Sequence, residues 1–215
     1  MNWLINTFGT SIGKKLLMAL SGACFIGFLL GHLGGNTTLY FGKEAFNSYA
    51  EHLHALGILV NIAEISLLTL LVIHVVTGVT LFFQNLGARP QRYAVSKRAG
   101  GRTWASATMP YTGVLILIFV IFHLINFHFV EKTLDNTIFD IVSKTFVQPE
   151  FMIFYIIAMI IVAFHVSHGF WSLFQTLGAN HPKYMPIITR VGIILSLVFG
   201  IGFGLLPIFV PLIAS

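Results

Sequence analysis

Four histidines stand in otherwise apolar stretches of this chain, His32, His74, His123 and His165, and 42 residues separate each successive pair, His32 from His74 and His123 from His165. An ionisable side chain at membrane depth is costly and marks a functional site by default. One histidine in an apolar helix is more often a hydrogen-bond partner for its neighbour, and glycines alone are ordinary helix packing. Here each of two histidines is followed four residues later by a glycine, His74 by Gly78 and His165 by Gly169. A small residue there, one turn along the same face, would let a flat ring approach the backbone; Gly27, Gly31, Gly34 and Gly35 could serve His32 in the same way. Imidazole is an axial ligand of haem iron, and a low-spin haem b takes two, one on each face of the ring. Four such histidines on four helices suit two stacked haems in a helical-bundle core. His168 shares a face with His165, but Gly169 and the 42-residue spacing favour His165 as the ligand and leave His168 a neutral hydrogen-bond donor.

Helices that cross a bilayer must position these groups. Of 215 residues, 56% are hydrophobic and only 9% charged, against about 25% charged in a soluble domain. A span takes about 20 apolar residues. Five are expected, at 16–33, 55–83, 109–130, 151–174 and 187–213, the last with Pro207 and Pro211 near its end. The fold class that follows is all-α integral membrane, with a haem-binding four-helix core and a fifth, peripheral helix. Residues 1–215 form one transmembrane domain, with no internal repeat evident and no room for a globular catalytic unit. Lys14 and Lys15 before the first span resemble the basic start of a signal peptide, but no small-residue cleavage site follows, so it reads as a retained anchor. The single Cys24 excludes a disulfide framework and a cysteine-held iron–sulfur cluster within the chain.

Charge sets the topology. Nine of the twelve Lys and Arg residues lie on one side: Lys14, Lys15, Lys183, Arg190 and the Arg89–Arg102 loop. By the positive-inside rule that side is cytoplasmic, with the amino terminus inside and the carboxyl terminus outside. The pI of about 9.5 is thus topology-setting charge and not a sign of nucleic acid. Counting about 1.5 Å per residue, His32 and His123 lie within about 6–12 Å of the outer side, and His74 and His165 about 20–30 Å from it. His52, His54, His128 and His181 fall at or beyond the interfaces, where solvated imidazole is the default reading.

Glu64 is the one acid within a span, about 15 Å outward of His74 along the second helix. Electron transfer is often coupled to protons, and a carboxyl near the outer histidine level could handle them. Buried without a partner it would keep its proton at pH 7. The bland alternative is a protonated carboxyl bonding a neighbouring helix. Arg102 and Trp104, at the inner mouth of the third span, are candidates for haem propionates.

Three segments carry a family resemblance: Ser11 to Gly22 with G-H-L-G-G-N around His32, F-H-L-I-N-F from Phe122 to Phe127, and F-H-V-S-H-G-F-W-S-L-F-Q-T-L-G-A-N from Phe164 to Asn180. In this order and spacing the chain resembles the cytochrome b membrane anchor of succinate:quinone oxidoreductases, succinate dehydrogenase and quinol:fumarate reductase, in its single five-helix dihaem form. The resemblance implies that His32 and His123 hold the distal haem iron and His74 and His165 the proximal one. It also implies two haem b, a quinone (menaquinone being expected) whose outer site Glu64 would serve as proton-handling group, and partners on the cytoplasmic side: a flavoprotein with FAD and an iron–sulfur subunit. The place implied is the bacterial inner (cytoplasmic) membrane, with the Arg89–Arg102 loop and the amino terminus as docking surface. The acid that some family members carry beside the fourth-helix histidine is absent here, where Ala163 and Phe164 precede His165. The histidines alone also fit another dihaem cytochrome b anchor, of b561-like, formate dehydrogenase or nitrate reductase type. A histidine-using transporter is a rival of another class, and it would be colourless.

Overall fold

The computed structural model describes residues 2–88, 104–133 and 135–214, and among these every long element is helical. The reason is the solvent. Hydrocarbon offers no hydrogen bonds, so a spanning backbone must satisfy its own amides within the segment. α1 (Asn2–Gly9) precedes α2 (Ser11–Asn36). At the corner between them the Thr10 hydroxyl accepts from the Gly13 amide at 3.0 Å. A Cβ on Gly13 would collide with the Thr7 carbonyl oxygen, so the corner requires glycine. A 3-10 turn at Thr37–Phe41 ends on Gly42, whose φ of 90° needs no Cβ. Then come α3 (Lys43–His54), α4 (Ile58–Gly87), α5 (Trp104–His123), a π-helical turn at Leu124–His128, α6 (Ile138–Val147), α7 (Pro149–Thr176) and α8 (Met185–Ala214).

Five of these, α2, α4, α5, α7 and α8, are long and apolar enough to cross a membrane, as the composition required. Their outward faces are greasy: on α4, Ile62, Ile65, Leu68 and Val72 are all more than half exposed, a surface suited to lipid. Most helices run a few residues past the expected bounds, α2 for instance covering Ser11–Asn36 against 16–33, and three further features depart from expectation. The second span begins at Ile58 because α3 and the turn through Gly57, at φ 55°, claim the residues before it. Regular α-helix in the third stops at His123, and the next turn is π-helical, closed by Phe129 N donating to Leu124 O at 2.9 Å. In the fifth, Pro207 and Pro211 lie inside a helix that continues to Ala214.

α2, α4, α5 and α7 form a ring in which α2 packs on α4 and α7, α5 packs on α7, and α4 meets α5 only lightly. α8 lies outside this ring, yet "peripheral" understates it. It packs along much of α7, and its Phe199 and Val210 are fully buried. Small residues make that approach close: a Cβ on Gly200 would stand 3.0 Å from the Ala163 Cβ, and one on Gly202 would press into Leu33. Between membrane helices this van der Waals fit replaces the hydrophobic drive that lipid cannot supply.

Two short amphipathic helices cover one end of the bundle. Phe46 of α3 and Phe139, Val142 and Phe146 of α6 pack on Tyr155 and Leu206. Lys43 ties the two helices together, donating to both carboxylate oxygens of Asp140 at 2.8 and 2.9 Å. Asp140 also closes a capping box with Thr137. These contacts hold its carboxyl well below the usual range, at about 2, the Lys43 hydrogen bond being the largest cause and that from Thr137 the next.

Candidate functional site

The bundle brings the four spanning histidines together in two pairs. The ring centres of His32 and His123 stand 5.8 Å apart at an interplanar angle of 89°, and those of His74 and His165 stand 6.4 Å apart at 60°. With about 2 Å for each metal–imidazole bond and about 1.1 Å from nitrogen to ring centre, imidazoles sharing an iron have centres about 6 Å apart. Both pairs meet that distance. Two imidazoles suit an iron whose other four positions a porphyrin fills, whereas a bare zinc site takes three or four protein ligands. Among the described residues no three His, Cys, Asp or Glu converge.

The two pairs occupy two levels, which helix contacts measure independently of the loops. His74 meets Ser21 of α2, eleven residues before His32, and His165 meets Thr112 of α5, eleven before His123. Eleven residues of helix separate the levels by about 16 Å. At the level of His32 the walls are aromatic: Phe28 stacks on His32 at 5.2 Å and Phe203 of α8 lies at 5.6 Å. Phe119, Phe127 and Tyr155 surround His123, whose Nδ1 is buried without a hydrogen-bond partner among the described residues.

The other level has Phe25 edge-on to His74 at 5.6 Å and is polar at Nδ1 of both rings. Ser21 Oγ lies 2.8 Å from His74 Nδ1 and Thr112 Oγ1 lies 3.1 Å from His165 Nδ1. The next residue in each case is glycine, and a Cβ on Gly22 or Gly113 would stand 3.6 Å from Cε1 of the same histidine. Residue type alone does not mark Ser21 and Thr112 as functional. The signal is an offset: Ser21 and Thr112, Gly22 and Gly113, His32 and His123, His74 and His165, and Gly78 and Gly169 are each 91 residues apart. His74–Ala88 and His165–Ala179 also share H-V-x-x-G-x-x-x-x-F-Q-x-L-G-A. The expectation of no internal repeat is corrected. α2 with α4 and α5 with α7 are two copies of one helix-pair unit.

Space beside the rings is mixed. Around Gly27, Gly31 and Gly169 nothing lies within 4 Å of a would-be Cβ, while Gly78 faces the Met18 thioether at 3.5 Å. His165, not His168, stands opposite His74. His168 sits edge-on to Trp171, and its Nδ1 is buried without a hydrogen-bond partner among the described residues, so the expected bond from that nitrogen is not made.

Glu64 differs from expectation in its surroundings. Its side chain is 47% exposed on the bundle, and it has a partner, His128 Nδ1, 3.8 Å from its Oε1. It is therefore neither buried nor alone. His128, expected to be a solvated interface residue, is carried there by the π-helical turn that follows His123, and such turns cluster at functional sites. His52 and His54 bond carbonyls of their own helix, those of Ser48 and Ala50, both at 2.7 Å. His181 accepts from the Lys183 amide at 3.2 Å. Trp104 opens α5 and is exposed; Arg102 and the Arg89–Arg102 docking loop lie outside the described residues.

No protein-family model matches the sequence, and no solved structure matches the chain. Among curated proteins the chain is 29% identical over 183 residues to the succinate dehydrogenase cytochrome b558 subunit of Bacillus subtilis (strain 168), an alignment that takes in 84% of this chain and 88% of that one. The alignment spans most of both chains, and with the paired histidines and five spanning helices it bears out the likeness read from the sequence, to the cytochrome b membrane anchors of succinate dehydrogenase.

Proposed function

We propose that this chain is the dihaem membrane anchor of a succinate:quinone oxidoreductase, working in a bacterial cytoplasmic membrane between a cytoplasmic iron–sulfur subunit with its flavoprotein and a membrane quinone. The carrying observation is the pair of imidazole pairs, 5.8 and 6.4 Å between ring centres, each drawn from two different helices. Haem b, when bound, supplies one-electron carriage. The chain's own residues do the rest. His32 with His123 and His74 with His165 would hold the two irons, the two histidine pairs lying at levels about 16 Å apart. The aromatic side chains around the His32 level exclude water.

The quinone reaction exchanges two electrons and two protons, so its site needs proton-bearing groups. Glu64 and His128 supply two, within reach of each other directly or through one water. Glu64 on α4 and His128 on the π-helical turn beyond α5 both keep nearly half of their side chains exposed, open toward lipid, from which a quinone arrives. Glu64 Oε1 takes or gives the proton, and His128 passes it to the outer surface.

The test is purification of the intact complex with subunit identity, haem stoichiometry and spectrum read from one sample. Two b haems per copy of this chain are expected, with a flavoprotein and an iron–sulfur subunit present. His74→Ala or His165→Ala should each remove one haem and leave the other. A molybdenum subunit in place of the flavoprotein would assign the chain to the other class of dihaem anchor. A sample with no b-type band in the reduced-minus-oxidised spectrum would end the cytochrome reading.

A further inference from the structure

The hydroxyls beside His74 and His165 do more than pack. Each carries one proton, and each has a place for it on its own helix: Ser21 Oγ donates to Leu17 O at 2.7 Å, and Thr112 Oγ1 to Thr108 O or Met109 O at 3.1 Å. With the proton spent there, the oxygen offers a lone pair to the imidazole, so Nδ1 of His74 and of His165 is the donor. That fixes the tautomer. In both rings Nε2 is left bare, the form that ligates a metal, and the bond at Nδ1 orients the ring and raises its basicity. Ser21 is 1% and Thr112 9% exposed, so no water competes for either bond. The same device appears in both copies of the helix pair, 91 residues apart, each time followed by the glycine that admits the ring. The His32 level is built differently, since His123 Nδ1 is buried with no hydrogen-bond partner among the described residues.

We propose that Ser21 and Thr112 are positioning residues that lock His74 and His165 as Nδ1–H tautomers and set the reduction potential at their level apart from that at the other. A more basic ligand stabilises the oxidised iron, so both hydroxyls lower the potential there. The inference rests on the dihaem reading and sharpens it: the two levels carry different ligand chemistry although the units that build them are copies.

The experiment is a redox titration of the b-type absorbance in the intact complex, for wild type, Ser21→Ala, Thr112→Val and the double variant. Each single variant should move one of two components to higher potential and leave the other unmoved, with the double variant moving the same component further. Ser21→Thr and Thr112→Ser keep the hydroxyl and should titrate as wild type. If Ser21→Ala or Thr112→Val lowers haem content while its hydroxyl-keeping counterpart retains two haems, the hydroxyl is needed to seat the ligand, which supports the same role. Two haems with unmoved potentials would overturn the proposal, as would an equal shift in the hydroxyl-keeping variants, which would assign the effect to packing. A wild-type complex with fewer than two b haems would instead overturn the dihaem reading beneath it.

Discussion

An imidazole in an apolar span has no cheap structural reason to be there, and His32, His74, His123 and His165 each stand in one. Glu64 is costly there on the same ground, and it has found a partner in His128. Sequence places His128 at the outer interface as a solvated residue, but a single π-helical turn after His123 brings its Nδ1 to 3.8 Å from Glu64 Oε1. Glu64→Gln keeps the shape of the side chain and removes the carboxyl proposed to handle protons. Quinone-linked turnover should fall about 100-fold or more, the scale of a lost general acid–base group, with haem content unchanged. Steady-state assay with a soluble quinol or quinone, beside a pyridine haemochrome measurement, checks both halves. Unchanged turnover with full haem would remove Glu64 from the mechanism.

Among the elements, the long apolar runs were plain and the short outer helices were not. α3 and α6 lie in stretches that hydropathy reads as loops, and each is helical because one apolar face finds a partner: Phe46 and Phe139 meet only across the end of the bundle. The Lys43–Asp140 pair that joins them has a pH dependence of defined sign. The Asp140 carboxyl is held at about 2 against an ordinary 3.8. Its folded value is the lower one, so its contribution is complete above about pH 4 and disappears as pH falls toward 2. Asp140→Asn should cost about 1 kcal/mol or less at pH 7, the range of an exposed ion pair with a cap. Thermal unfolding in detergent should show that difference at pH 7 and lose it near pH 2, with faster amide exchange in α6 at neutral pH.

At the scale of the whole molecule, the charge asymmetry makes a sidedness prediction. A membrane-impermeant amine reagent applied to intact cells, with the outer membrane opened where one is present, should label Lys43 and Lys132 and spare Lys14, Lys15 and Lys183. Labelling of the second group in sealed cells would reverse the orientation and put the quinone site on the cytoplasmic side. What composition could settle was whatever the solvent imposes on every residue alike. Hydrocarbon demands self-satisfied helices of a set length, and anionic, oriented membranes sort positive charge to one side. The histidine spacing could be read from the chain as well, because both copies of the helix pair preserve it. Which ring faces which, which hydroxyl meets which Nδ1, and how deeply α8 is buried depend on helix rotation and approach. Those are set by close packing at Gly22, Gly113, Gly200 and Gly202 against side chains far away in sequence, and only the assembled bundle makes those contacts.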